Sequence, residues 1–185
     1  MSEDDVDAWT RAVAGDGEAF ALVFDHHGPR VQRHLGRLLS SPQDVEDALA
    51  IVFLEAWRRR EAVRIVEGSV VPWLLVTATN VANNVRRSGR RYQALIDRLP
   101  PMVSTEAALD ALEEADVVTA LRSLSLADQQ VLTLCVLEEW SERDAAAALR
   151  VRPGTVKSRL HRAKRRLADR FGAMTSAPEG IAHGA

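Results

Sequence analysis

Ser141-Glu-Arg-Asp-Ala-Ala-Ala-Ala-Leu149, then Arg150-Val151-Arg152, then Pro153-Gly-Thr-Val-Lys-Ser-Arg-Leu-His-Arg-Ala-Lys-Arg-Arg-Leu167 is the stretch that decides how this chain is read. Ser141 with an acid three positions on, Asp144, forms a capping box, so a helix starts there. Arg150-Val151-Arg152 ends it after about two turns, and Pro153 suits a first helical position, where a missing N–H is no loss. In the helix that follows, Val156, Leu160, Ala163 and Leu167 recur at four-three-four spacing and make one apolar stripe. Lys157, Ser158, His161 and Arg162 share another face, which Arg165 and Arg166 continue. A short helix, a tight turn and a second helix with cations and a hydroxyl turned outward is the pattern of a helix-turn-helix reader of the DNA major groove. A solvated helix closing a bundle would also explain the basic face, but not the capped helix and short turn ahead of it.

Outward from this stretch the chain carries only helical signals. Phe20, Val23, Phe24, Val31, Leu35 and Leu38 form a stripe over 17–40, with Gly28-Pro29 predicted to kink or break it. Ser41-Pro42-Gln43-Asp44 supplies a cap, a proline at the first helical position and a carboxylate at the third. Val45, Leu49, Val52, Phe53 and Ala56 then face one way, and Arg58-Arg-Arg60 ends the helix with favourable charge. Residues 61–71 read as a loop. Pro72 opens a helix from Trp73 to about Gln93, apolar at Leu74, Leu75, Ala78, Val81, Ala82 and Val85. Its polar side holds Thr77, Thr79, Asn80, Asn83 and Asn84, then Arg86, Arg87, Arg90 and Arg91. Asparagine is unfavourable inside a helix, because its side chain competes for backbone bonds. Asn80 therefore has two readings, a hydrogen bond inside the bundle or a contact to a base edge. Asn84 abuts the arginines and reads as a surface contact.

Leu99-Pro100-Pro101-Met102-Val103 excludes helix and marks a linker. A further helix is predicted from about Thr105, and Ser125-Leu-Ala-Asp128 caps another, to about Leu137. After Gly172 the chain loses periodicity and reads as a mobile tail. The expected fold is all-α: two small helical domains joined by a flexible linker, the C-terminal one a helix-turn-helix. The expected division is an acidic segment at 1–16, a first domain at 17–95, a linker at 96–116, a second domain at 117–172 and a disordered tail at 173–185.

Composition narrows the function. The 185 residues carry a net charge of −2, unevenly spread. Residues 1–20 hold six acids and one arginine, and 105–116 hold five acids and no base, whereas 86–91 hold four arginines and 150–170 nine lysines or arginines. A protein that bound DNA unaided through phosphate neutralisation would be basic overall, so this balance implies weak DNA binding alone and calls for a carrier. No apolar run approaches the roughly 18 residues of a membrane span. The acidic N-terminus lacks the order of a signal peptide, so the chain reads as cytoplasmic. One cysteine, Cys135, excludes an internal disulfide and a multi-cysteine zinc site.

Two blocks resemble a known family. Asp44-Val-Glu-Asp47…Phe53-Leu-Glu-Ala-Trp57 with Trp73-Leu-Leu-Val-Thr-Ala-Thr-Asn80…Asn84-Val-Arg-Arg87, and Leu121-Arg-Ser-Leu-Ser…Gln130-Val-Leu with Trp140-Ser141…Leu167, are similar in order and spacing to extracytoplasmic-function (group IV) sigma factors of bacterial RNA polymerase. The resemblance covers about residues 17–172. It implies that Asp44, Glu46, Asp47 and Phe53 dock on core polymerase. It implies that Trp73, Asn80, Asn84, Arg86 and Arg87 handle the minus-ten element, with Asn80 contacting an unstacked base. In the minus-thirty-five element, Lys157, Ser158, His161 and Arg162 would enter the major groove, with Thr155 beside them, while Arg152, Arg159 and Arg165 would contact phosphates. The implied function is transcription initiation by promoter recognition, with core RNA polymerase, promoter DNA and an anti-sigma factor as partners, no cofactor and no membrane insertion.

Three positions depart from the family pattern. Ala50-Ile51 replaces a polar pair, Arg150 stands where glycine is common, and Cys135 replaces a basic residue. An autonomous helix-turn-helix regulator would leave the Asp44–Trp57 block and the tryptophan–asparagine–arginine helix without a role. An enzyme finds little support, since there is no phosphate-binding glycine loop or nucleophile elbow. His26-His27 and His34 lack acidic or cysteine partners at ligand spacing, and adjacent helical residues point about 100° apart.

Overall fold

The computed structural model describes residues 3–63, 65, 66, 68–96 and 119–175. Among the described residues the fold is carried by the helices α1 (Glu3–Val13), α2 (Gly17–Leu38), α3 (Pro42–Arg58), α4 (Val71–Ile96), α5 (Leu126–Leu132), α6 (Glu142–Leu149) and α7 (Pro153–Thr175). A helical turn at 119–123 leads into α5. Among the described residues the sole β-type pairing is an isolated bridge, Val66 with Ser69, in the loop before α4. The expected linker at 96–116 and the helix predicted from Thr105 lie almost wholly outside the described residues, as does the tail from 176 onward.

The first four helices share one core. Val23, Val31 and Leu35 of α2 meet Val45, Val52 and Phe53 of α3 and Leu74, Ala78 and Ala82 of α4, all buried. The caps read from sequence hold here: Ser41 Oγ accepts from the Asp44 amide at 3.3 Å, and Pro42 sits at the first position of α3. Two expectations change. The acidic segment at 1–16 is not an appendage, because α1 lays Trp9 (2 % exposed) and Ala12 (0 %) into this core. Asp7, Val6 and Thr10 are exposed on its other side, so charge count hid an amphipathic helix. Gly15, at φ +99, makes the left-handed turn into α2, and Asp16 then caps α2 by accepting from the Ala19 amide at 3.0 Å. At Gly28-Pro29 the expected break does not occur: α2 is continuous through Pro29. Pro29 and Asp25 lie on the exposed face, where water can satisfy the carbonyl that loses its amide partner.

The second unit is smaller. Val131 and Leu134 meet Ala145 and Ala146 of α6 and Val156 of α7. Leu124, Leu132 and Ala163 form an adjoining cluster, completed by Leu160 and Leu167. The four-three-four stripe of α7 is thus the buried one. Ser125 and Ser141 both cap as expected, accepting from the Asp128 and Asp144 amides at 3.2 and 3.1 Å. The helix expected to run to Leu137 widens instead into a π-helical turn, Thr133–Leu137, closed by the Glu138 amide on the Thr133 carbonyl at 3.0 Å. Arg150 terminates α6 in the left-handed region, at φ 56. α7 continues to Thr175, three residues past the expected end of the second domain.

Candidate nucleic-acid interfaces

α7 presents the surface expected of a recognition helix. Burial of Val156 and Ala163 turns Lys157, Ser158, His161, Arg162 and Arg165 outward, and all five are exposed, as is Arg152 in the turn. Thr155 and Arg159 are half-buried at the edges of that surface. Ser158 keeps its hydroxyl local, donating to the Thr155 carbonyl at 3.0 Å. Arg166 differs from its neighbours: its guanidinium binds Asp128 at 2.8 Å, and the Asp128 side chain is 6 % exposed. One cation of the basic face therefore ties α7 to α5.

α4 divides by helical phase. Leu74, Leu75, Ala78 and Ala82 turn into the core, and Trp73 is half-buried against it. Asn80, Asn84 and Arg87 are exposed, while Arg86 is half-buried. Asn80 is exposed rather than buried inside the first bundle. Its Oδ1 accepts a hydrogen bond from Gln130 Nε2 of the second unit at 2.9 Å. Arg86 also reaches across, donating from Nη2 to the Arg122 carbonyl at 2.6 Å. Burial, with Arg90 and Arg122 nearby, pulls the Arg86 guanidinium below its ordinary range. Arg90 and Arg91 instead lie back along their own helix, on the Arg86 and Arg87 carbonyls.

On α3, Glu46 and Asp47 are exposed and Asp44 is half-buried. Phe53, expected at the polymerase surface, is 3 % exposed. It packs edge-on to Phe24 and Phe20, with ring centroids 4.7 and 6.3 Å away. Its helical phase matches Val45, Val52 and Ala56, and hydrophobicity then takes it inward. The apolar groups that α3 does present are Ile51 (43 % exposed) and Leu54 (52 %). Ile51 joins Val81, Val85 and Tyr92 in a groove of about 600 Å³, with Asp44 and Asn84 at its polar edge. Sequence reading met Ile51 as a departure from the family pattern and missed Leu54 and Tyr92, which no periodicity sets apart.

The histidines do not converge. His34 is buried against Thr79, and the His26 and His27 rings stand edge to face, 4.7 Å apart. Among the described residues no group of three or more His, Cys, Asp or Glu side chains is placed to hold a metal ion. Burial, then Glu142, raises the Cys135 thiol.

Comparison with known proteins decides the family. Residues 23–92 match Sigma-70 region 2, and residues 114–167 match Sigma-70, region 4. The chain is 30 % identical over 162 residues to the RNA polymerase sigma factor CarQ of Myxococcus xanthus, covering 85 % of this chain and 92 % of that one. The ECF RNA polymerase sigma factor SigL of Mycobacterium tuberculosis is 31 % identical over 164 residues, covering 84 % and 90 %. This chain is an extracytoplasmic-function sigma factor. The region 2 match of the sigma factor runs from within α2 to within α4, and the region 4 match takes in α5, α6 and most of α7. Two solved structures share its fold: CnrH in complex with the cytosolic domain of CnrY (TM-score 0.66, 22 % identity, 92 % of this chain and 99 % of that one), and the sigma factor RpoE of Bartonella quintana in complex with the anti-sigma factor NepR (0.60, 24 %, 83 % and 96 %).

Proposed function

We propose that this sigma factor binds core RNA polymerase through α3, captures the minus-ten strand on α4, reads the minus-thirty-five duplex with α7, and so directs initiation without chemistry of its own. The observation that carries this reading is that α4 and α7 each bury an apolar stripe and expose amides or cations on the opposite side, in the order region 2 then region 4. On α3 the docking set is Asp44, Glu46 and Asp47, with Ile51 and Leu54 in the apolar role expected of Phe53. On α4, Asn80 offers both an acceptor and a donor to a base edge, Asn84, Arg86 and Arg87 follow the phosphates, and Trp73 backs the pocket. A base leaves the stack at a cost of a few kcal/mol, so a pocket that holds it favours melting and reads sequence together. On α7, Lys157, Ser158, His161 and Arg162 face the groove, while Arg152, Thr155, Arg159 and Arg165 meet the backbone.

An anti-sigma factor is the proposed negative partner. CnrH was solved with the cytosolic domain of CnrY and RpoE with NepR, and the exposed Ile51–Tyr92 groove gives such a partner an apolar seat. No described helix is long and apolar enough to cross a membrane, which fits work in the cytoplasm beside the polymerase.

Reconstituted transcription tests the reading. Purified core polymerase with this sigma factor is expected to give run-off product from a cognate promoter. Lys157→Ala and Arg162→Ala should each weaken use of the minus-thirty-five element about tenfold, as loss of one base-edge contact would. Asn80→Ala should impair opening with core affinity unchanged. Wild-type promoter choice in all three variants would refute the assignment.

A further inference from the structure

Within region 4 the reading helix is fastened by a buried charge. The Asp128 side chain of α5, 6 % exposed, accepts from Arg166 Nη1 of α7 at 2.8 Å. Asp128 stands on a fixed platform. Its amide donates to Ser125 Oγ at 3.2 Å, and the amide of the buried Gln129 side chain donates to the Leu121 and Leu124 carbonyls at 3.0 and 3.1 Å. Arg166 continues the row of Ser158 and Arg162, which recur every four residues along α7. Its side chain is 58 % exposed, yet it turns back onto Asp128 rather than outward with Lys157, Arg162 and Arg165. One turn away on each helix, Leu132 of α5 and Ala163 of α7 share a buried cluster, with Leu160 and Leu167 against it. Apolar contact of this kind fixes no angle, whereas a charge-assisted hydrogen bond to a buried carboxylate does.

We infer that Asp128 is a positioning residue for promoter reading: by holding Arg166 it sets the roll of α7 about its own axis and keeps that cation off the DNA backbone. The inference rests on the assignment of α7 to the minus-thirty-five duplex. Side chains leave a helix about 100° apart, so a small roll re-aims Lys157, Ser158, His161 and Arg162 together. Hydrogen bonds to base edges weaken steeply when misaligned, and they carry the sequence information. Phosphate contacts tolerate the roll and carry none. Release of Arg166 therefore has two opposed effects: it adds a cation for the backbone, and it loosens the row that reads bases. The pin is held from the Asp128 side, because a buried carboxylate stripped of its cation is costly whereas an exposed guanidinium is not.

Full-length variants in reconstituted holoenzyme test this on two readings. Run-off transcription gives the preference for a cognate promoter over one with a substituted minus-thirty-five base pair. Fluorescence anisotropy gives the slope of promoter affinity against salt. Asp128→Asn releases Arg166 and should lower the preference about fivefold, the lower end of what one base-edge contact supplies. It should also steepen the salt slope by about 0.9, the share of one phosphate. Asp128→Leu with Arg166→Met replaces the pair by apolar side chains, a change that buried ion pairs commonly tolerate. This double variant should melt as wild type does, lose the same preference and leave the slope unchanged, a combination that a merely structural pair would not produce. Arg166→Lys retains the ion pair and should keep both readings. Should Asp128→Asn fail to fold by circular dichroism, the double variant decides. Wild-type preference in a folded Asp128→Asn or double variant would overturn the positioning role. A shallower slope in the double variant would place Arg166 on a phosphate and overturn the withholding. If Lys157→Ala and Arg162→Ala also leave the preference unchanged, the assignment of α7 has failed, and the pin falls with it.

Discussion

Acidification should destabilise region 2 through one side chain, His34. The ring is 1 % exposed, and its Nε2 lies 2.9 Å from Thr79 Oγ1. Thr79 has already given its hydroxyl hydrogen to the Leu75 carbonyl at 2.8 Å, so the hydroxyl can only accept from His34. Nε2 therefore carries the hydrogen, and Nδ1 is the bare nitrogen, buried and without a partner. Protonating it would place a charge in the core with nothing to receive the new N–H. Burial, helped by Arg37, accordingly lowers the His34 pKa from 6.5 to about 4. Below 6.5 the unfolded chain takes up this proton and the folded chain does not, so stability is complete above that value and falls as pH drops toward 4. The full interval is worth about 3 kcal/mol, and about 2 kcal/mol of it is lost between pH 7 and 5. Urea melts of wild type and His34→Gln at the two pH values isolate the effect, since carboxylate titration is common to both. The wild-type loss should exceed the variant's by about 2 kcal/mol. Equal losses, or an NMR titration of His34 near 6.5, would refute the reasoning.

Three further substitutions probe region 4 and α3. Arg150→Gly removes a side chain from a left-handed residue at φ 56 and should raise stability to urea by about 1 kcal/mol; an unchanged or lower midpoint counts against strain at this turn. Phe53→Ala should cost about 3–4 kcal/mol by thermal melt, as loss of a core aromatic does, whereas Leu54→Glu should leave the melt unchanged and weaken binding to core polymerase at least tenfold. A Leu54→Glu variant that binds polymerase normally would remove α3's apolar face from the docking surface.

Much of this was legible because helices advertise themselves through caps and spacing. Ser41, Ser125 and Ser141 each cap where a serine precedes an acid by three residues, and the Val156–Leu167 stripe is the buried one. What failed did so where a local signal met a tertiary one. The acids of α1 set 1–16 apart from the first domain, but Trp9 and Ala12 sit one turn apart and find its core. Pro29 is a helix breaker in isolation, yet it stands on the exposed side of α2, where its missing bond is cheaply replaced by water. Phe53 was assigned to a surface by resemblance, although its helical phase with Val45 and Ala56 already pointed inward. The contacts of Gln130, Arg122 and Glu138 with region 2 had no sequence signature, because they join residues 36 to 108 positions apart.

The polar residues of α4 show how one helix serves three surfaces. Thr79 and Asn80 are neighbours in sequence, both poor helix formers, and helical phase points them in different directions. Thr79 turns inward, back-bonds to Leu75 and receives His34, so it joins α4 to α2 at the centre of region 2. Asn80 turns outward and meets Gln130, so it joins α4 to region 4. Each local cost is offset by a distant partner, but the two partners differ in permanence. His34 is locked in a buried core, whereas Gln130 belongs to a separate unit whose bond to Asn80 is exposed. Water can replace the second bond and not the first. The pair therefore marks where α4 stops being scaffold and becomes a surface that can exchange one partner for another.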